Sequence, residues 1–232
     1  DLSPGAPDDL GIAIALTTAP PAPFMPLDRV GKPVIGLVLV WCGEDHDAGQ
    51  QVIAPFRGIG SPIVDLVRPF PYVAVQSMLD SGAPHGRHYY WKGHRIADLS
   101  DEVIDLIVSR AAAPTSPFSQ IGGWAVGGAV SRVDPANTAV GRREVGFEIN
   151  TTAGWAPSDP DPGRHIAWVR EGWEALRPHS VGVYANFLSD EDATGLEAAY
   201  GDRLRRLTAL KARYDPDNVF HVNANIPPSQ QP

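Results

Sequence analysis

The chain has 232 residues, 43% of them hydrophobic and 20% charged, with a net charge of −8. That is enough for a substantial core in one large or two small domains. The acidic balance argues against a nucleic-acid surface, which needs clustered Lys and Arg. No apolar run approaches a membrane span, and no basic-then-apolar leader opens the chain. A soluble protein is therefore expected, cytoplasmic rather than secreted, although the single Cys42 leaves the compartment without a disulfide argument. The many glycines and prolines separate periodic apolar runs, which implies turns rather than disorder.

Residues 1–10 read as a loop or linker. Gly11 to Thr18 and Pro33 to Cys42 are β-branched-rich runs and are expected to pair antiparallel, with the prolines between them on the surface. Cys42 reads as a small buried residue. Ala48 to Phe56 follows as a helix with Val52, Ile53 and Phe56 on its apolar side. Asp65 to Pro71 is extended, and Tyr72 to Leu79 is a short helix introduced by proline. Gly86 to Ile96 is a strand carrying Tyr89, Tyr90, Trp91 and Lys92. Ser100 caps a helix whose stripe is Val103, Ile104, Ile107 and Val108. Ile121 to Val133 reads as a Gly-rich strand, where Gly122, Gly123, Gly127 and Gly128 allow a backbone or flat ligand to come close.

Val145 to Thr152 alternates, with Val145, Phe147, Ile149 and Thr151 facing one way and Gly146, Glu148, Asn150 and Thr152 the other. Pro162 to Leu176 is helical. Val181 to Phe187 reads as a strand with Gly182, Tyr184 and Asn186 on its polar side. Asp190 to Arg213 is helical with a break near Gly201. Strands and helices mix without strict βαβ alternation, so the expected class is α+β: a large antiparallel sheet with helices packed on one face. The other face is small and polar, a solvent surface or a ligand floor.

The run Tyr214-Asp215-Pro216-Asp217-Asn218-Val219-Phe220-His221-Val222-Asn223-Ala224-Asn225-Ile226 is rich in turn formers, and Asn218 tolerates the left-handed conformation. If it is extended, Asn223 and Asn225 share a side and offer two amides. On composition alone the simpler reading is a tail held by Phe220, with the asparagines serving as turn residues. Seven histidines show no metal-ligand spacing, and no nucleophile motif or phosphate-binding glycine loop is present.

This terminal run resembles the C-terminal signature of the berberine-bridge-enzyme-like FAD-linked oxidases. Further matches are Tyr184-Ala185-Asn186-Phe187, Ala199-Tyr200-Gly201-Asp202, Gly127-Gly128-Ala129 with Arg132, and Pro71-Tyr72 with Gln76. The resemblance covers nearly the whole chain but not the family's N-terminal flavin-binding domain. It implies a substrate-binding sheet domain over residues 1–182, completed by a C-terminal segment over 183–232. The implied activity is oxidation of an alcohol, sugar or natural-product scaffold by hydride transfer to FAD, with oxygen as acceptor.

The resemblance assigns Tyr184 to proton transfer and places Asn186, Asn223 and Asn225 beside the flavin. Asn150 stands where the family often has Glu or Gln. It cannot act as a base, which implies a substrate-orienting hydrogen bond. Glu148 lies about 7 Å away along the strand, and a solvated role is expected for it. Gln76, Tyr90 and Trp91 are the candidate substrate contacts, although the aromatics also suit a core. Arg142 and Arg143 read as structural or surface charges. The implied partners are a small-molecule substrate and a separate or cleaved FAD-binding polypeptide, or self-association. A non-catalytic binding or interaction domain is the alternative.

Overall fold

Alternation of branched apolar residues with small or polar ones dictates a sheet with two unlike faces, and the structure, a computed structural model, shows one. It describes residues 5–189, 193–222 and 224–229. β1 (Leu10–Thr18) and β2 (Pro33–Trp41) pair antiparallel along their whole length. β4 (Gln120–Val126) lies on the other side of β1, followed by β5 (Gly146–Trp155), β3 (His88–Ile96) and the short edge strand β6 (Ser180–Gly182). The sheet order is β2-β1-β4-β5-β3-β6, and every pairing is antiparallel.

Register sorts the side chains. Ile96, Ile121, Ile149 and Trp155 share one face, and α3 (Asp101–Ala111) and α5 (Gly163–Leu176) close it with Val103, Ile107, Trp168, Val169 and Leu176. On the same face α1 (His46–Arg57) packs Ile53 and Phe56 against Leu10, Ile12 and Leu39. Each such side chain stabilises the fold by roughly 1.5–3 kcal/mol. The helix starts are fixed locally: Asp45 accepts from the Asp47 and Ala48 amides, and Ser100 accepts from Val103 N at 3.3 Å.

The two buried histidines of this layer are partnered, whereas Trp168 Nε1 is buried without an acceptor. His165 is fully buried, stacks on Trp155 with ring centroids 5.1 Å apart, and bonds to Thr115 Oγ1 at 2.8 Å and Asp159 Oδ2 at 3.1 Å. His94 stacks on Trp173 and donates from Nε2 to its carbonyl at 2.8 Å. Burial pushes the His94 pKa down, favouring the neutral ring.

Four expectations change. In α3 the buried stripe is only Val103 and Ile107, because Ile104 and Val108 face outward. The Gly-rich strand stops at Val126; Gly128 (φ 53°) takes the left-handed conformation and opens a one-turn helix, α4 (Gly128–Ser131). The expected strand over 181–187 ends at Gly182, and Ala185–Phe187 forms a 3-10 turn instead. Cys42 is exposed.

α6 (Ala193–Tyr200) and α7 (Leu204–Tyr214) are separated by a 3-10 turn at Gly201–Arg203, close to the expected break. After α7 the chain forms an Asp215-centred turn rather than a strand. The Asp215 carboxylate accepts from Val219 N at 2.7 Å and Phe220 N at 3.0 Å, and Asn218 adopts φ 52°. α2 (Tyr72–Ser77) is a short helix with no buried residue. Among the described residues no helix is long and apolar enough to cross a membrane.

Phe187 is seated on Gly93 of β3, where an added Cβ would lie 2.7 Å from Phe187 Cδ2. Gly93→Ala should therefore displace Phe187, lower stability by about 1–3 kcal/mol, and perturb the emission of Trp124, which packs on that ring. Unaltered melting and fluorescence would exclude the contact. A second expectation concerns acid. The Asp161 amide, His165 and Arg164 hold the Asp159 carboxyl at about 2, below the ordinary 3.8. A depressed carboxylate contributes fully above its unfolded value and loses that contribution as pH falls through the folded one. The Tm gap between wild type and Asp159→Asn should thus be full at neutral pH and close between about pH 4 and pH 2.

Candidate active site on the open sheet face

The face away from α1, α3 and α5 has a floor set by register. Ala15 pairs with Gly122, Gly122 with Asn150, and Asn150 with Gly93, so a row nearly free of bulky side chains crosses four strands. On one side runs the row Ala13, Trp124, Glu148 and Arg95; on the other, Gln120, Thr152 and Trp91. The result is a shallow trough with polar and aromatic banks.

One end of the trough is filled from the C-terminal segment. The 3-10 turn is closed by Phe187 N donating to Tyr184 O at 2.8 Å, and it lowers Phe187 onto Gly93. Phe187 meets Tyr184 edge-on at 5.4 Å and Trp124 at 5.5 Å. Tyr184 remains 41% exposed, and Asn186 Nδ2 donates to its phenolic oxygen at 2.9 Å. The turn thus brings together the two residues that strand alternation was expected to align. With the amide on the phenolic lone pair, the hydroxyl proton is left to donate outward.

Beside Tyr184 lies a hollow whose lining includes Arg142, Glu148, Val183 and Tyr200. Arg95 is almost completely buried. Its Nη1 donates to Glu148 Oε1 at 3.1 Å, and its Nη2 donates to the Glu144 carbonyl. Glu148 is therefore a partly buried, ion-paired wall residue rather than a solvated one. Burial pushes its pKa up, and the Arg95 guanidinium opposes that. The second oxygen, Oε2, is buried and has no partner. Arg142 reaches Glu144 at 3.6 Å, whereas Arg143 fastens a loop by donating to Thr138 Oγ1 and Val130 O.

The remaining sequence candidates scatter. Asn150 sits in the trough floor, 6% exposed, and its carbonyl accepts from Thr152 Oγ1; it does not line the hollow beside Tyr184. Tyr90 and Trp91 point to opposite faces. Tyr90 lies on the helix side, packed against the core with Arg170 Nε donating to its hydroxyl at 3.1 Å, so it does not share a pocket with Trp91. Trp91 lies on the open face opposite Thr152. Gln76 is exposed on α2. Asn225 carries a buried Oδ1 without a donor. Asn223 lies outside the described residues.

Arg95, Trp124 and Phe187 were missed by sequence reasoning, although Arg95 shares strand parity with Trp91 and Gly93. Among the described residues no group of three His, Cys, Asp or Glu side chains is arranged to hold a metal ion.

Comparison with known proteins gives the context. The family model described as "Berberine and berberine like" matches residues 183–227, the segment that carries Tyr184, Asn186 and Phe187. An FAD-linked oxidoreductase of Dictyostelium discoideum is 29% identical over 187 residues, which cover 80% of this chain and 41% of the relative. The uncharacterised FAD-linked oxidoreductase YgaK of Bacillus subtilis is 25% identical over 77% of this chain and 40% of its own length. The chain thus spans about two fifths of these relatives. The fold matches that of the berberine-bridge-enzyme-like protein 28 from Arabidopsis thaliana, with a TM-score of 0.73, 16% identity, and coverage of 98% of this chain and 52% of that one. It also matches berberine bridge enzyme from Eschscholzia californica, with a TM-score of 0.72, 16% identity, and coverage of 99% and 51%. The C-terminal segment thus matches the berberine-like family model, and in its FAD-linked relatives and its fold the chain resembles the berberine-bridge-enzyme-like proteins.

Proposed function

We propose that this chain forms the substrate-orienting roof of an FAD-dependent oxidoreductase. The enzyme would oxidise a small organic substrate, an alcohol, sugar or natural-product scaffold, with oxygen as final acceptor. The observation that carries this reading is the Asn186–Tyr184 hydrogen bond on the open face, inside the family-matched segment. FAD, when bound, supplies the two-electron acceptor. The open face suits a flat ring, because the row beyond the Phe187 seat, at Gly122, lets a planar group approach. Asn186, beside Tyr184, and, on the family resemblance, Asn225, whose Oδ1 is an unpartnered acceptor, are the residues that would hold it.

Tyr184 Oη is the proton-transfer atom: with Asn186 fixing the phenol, its remaining lone pair receives the substrate's hydroxyl proton while its own hydrogen passes on to solvent. Trp91 and Trp124 bank the trough and limit the poses a substrate can take, which is how a binding domain contributes to rate. Asn150 steadies the floor through Thr152.

A flavin-carrying polypeptide is the proposed partner. Support comes from the apolar side chains left exposed on the terminal segment, Val219 at 65%, Phe220 at 80% and Val222 at 79%. Exposed apolar clusters of this kind mark interaction surfaces. Self-association, or a non-catalytic interaction domain, would use the same surface.

The test pairs this chain with a flavin-binding domain of a relative and measures anaerobic flavin reduction by an oxidisable alcohol. A yellow complex is expected, and Tyr184→Phe should slow reduction by roughly 10²–10⁴-fold, the usual range for losing a general acid–base group. An unchanged reduction rate would remove Tyr184 from the mechanism, and a colourless mixture would favour the interaction-domain alternative.

A further inference from the structure

We propose that Glu148 determines which ligands the Tyr184 hollow accepts: Arg95 holds one carboxylate oxygen, and the other receives a hydrogen-bond donor, a hydroxyl or amine, from the ligand. The proposal rests on reading that hollow as a substrate site.

Arg95 cannot move away to serve both oxygens. It is 2% exposed, and its two terminal nitrogens are committed to Glu148 Oε1 and the Glu144 carbonyl. Glu148 Oε2 is left buried with no donor, in a residue that lines the hollow. An acceptor removed from water without a partner is costly, so a donor entering the hollow recovers that loss. The terminal torsion of Glu is broad, which lets the free edge of the carboxylate turn toward the hollow while its stem stays on β5.

The other cation nearby, Arg142, is half-exposed and paired at 3.6 Å with Glu144, and it makes no ion pair with Glu148 among the described residues. Burial raises the Glu148 pKa, but the Arg95 bond favours the ionised, acceptor-only form. Across the hollow, Tyr184 presents a phenol that can donate. The site therefore offers one donor and one acceptor. A ligand with an acceptor but no donor leaves Oε2 unmatched, and sites built this way discriminate strongly against the deficient analogue.

The test titrates the full 232-residue chain with benzyl alcohol and benzyl methyl ether, following the NMR signals of Val183 and Tyr184. Wild type should bind the alcohol about tenfold more tightly than the ether, the worth of one hydrogen bond to a charged group. In Glu148→Gln the amide oxygen can still accept from Arg95 while an N–H replaces Oε2, so the preference should vanish or reverse. Should that variant fail to fold, the double variant R95M/E148M removes both charges together, a change buried pairs often tolerate, and it too should lose the preference. Equal binding of both probes to wild type, or a preference for alcohol retained in either variant, overturns the role of Glu148 and leaves the hollow standing. If neither probe shifts Val183 or Tyr184, the hollow itself fails as a site and the proposal falls with it.

Discussion

Phe187 resting on a strand position that has no side chain is the contact on which the open face depends. Glycine at position 93 leaves a gap in the pleat, and the ring fills it closely enough that even a methyl group would collide. That seat anchors the Ala185–Phe187 turn, and the turn fixes Tyr184 and Asn186 relative to each other and to Trp124. A longer β6 would have carried Tyr184 along the sheet edge. Ending the strand at Gly182 folds the segment over the sheet instead.

Beside this seat lies a second commitment, the buried pair of Arg95 and Glu148. Burying two charges is costly, and apolar residues of similar size often do as well or better for stability. Stability alone is therefore a weak reason for the pair. Its placement is more informative: it stands in the same cross-strand row as Trp124, next to the trough, with Glu148 lining the hollow of Tyr184. In the helix layer His165 and His94 meet specific partners, although Trp168 Nε1 there is also buried without one.

Much of this architecture was legible in the sequence because period-two alternation is a strong signal wherever one face is buried. Strands β1, β2, β3 and β5, the Ser100 cap and the break at Gly201 follow from residue type and spacing alone. Three features were hidden. The Gly-rich stretch gave no sign that Gly128 would turn left-handed and start a helix, since glycine permits both outcomes. Val181 to Phe187 alternates convincingly, yet the seat at Gly93, ninety-odd residues away, decides where that strand stops. In the tail, the Asp215 carboxylate captures two amides that a strand would have needed, and the sequence could only mark such a residue as turn-prone. At the site, the pairing of Tyr184 with Asn186 was anticipated for a different geometric reason. The parity that separates Tyr90 from Trp91 was available from the sequence. The partner of Glu148 was not, because it depends on which strand lies beside β5.

The distribution of apolar exposure carries the argument one step further. The sheet-facing sides of α1, α3 and α5 bury their large residues, whereas Tyr72, Val73, Leu79, Val219, Phe220 and Val222 stand largely in solvent. They belong to α2, to the turn after it and to the run after α7, elements that contribute nothing to the core clusters. Isolated exposed apolar residues are ordinary, but several concentrated on so few elements are not. The FAD-linked relatives that the chain matches are about twice its length. The site follows the same logic. Its floor and its phenol lie on the side of the sheet that α1, α3 and α5 leave open, with the buried Arg95–Glu148 pair beside them, which makes that side a shaped and polarised surface.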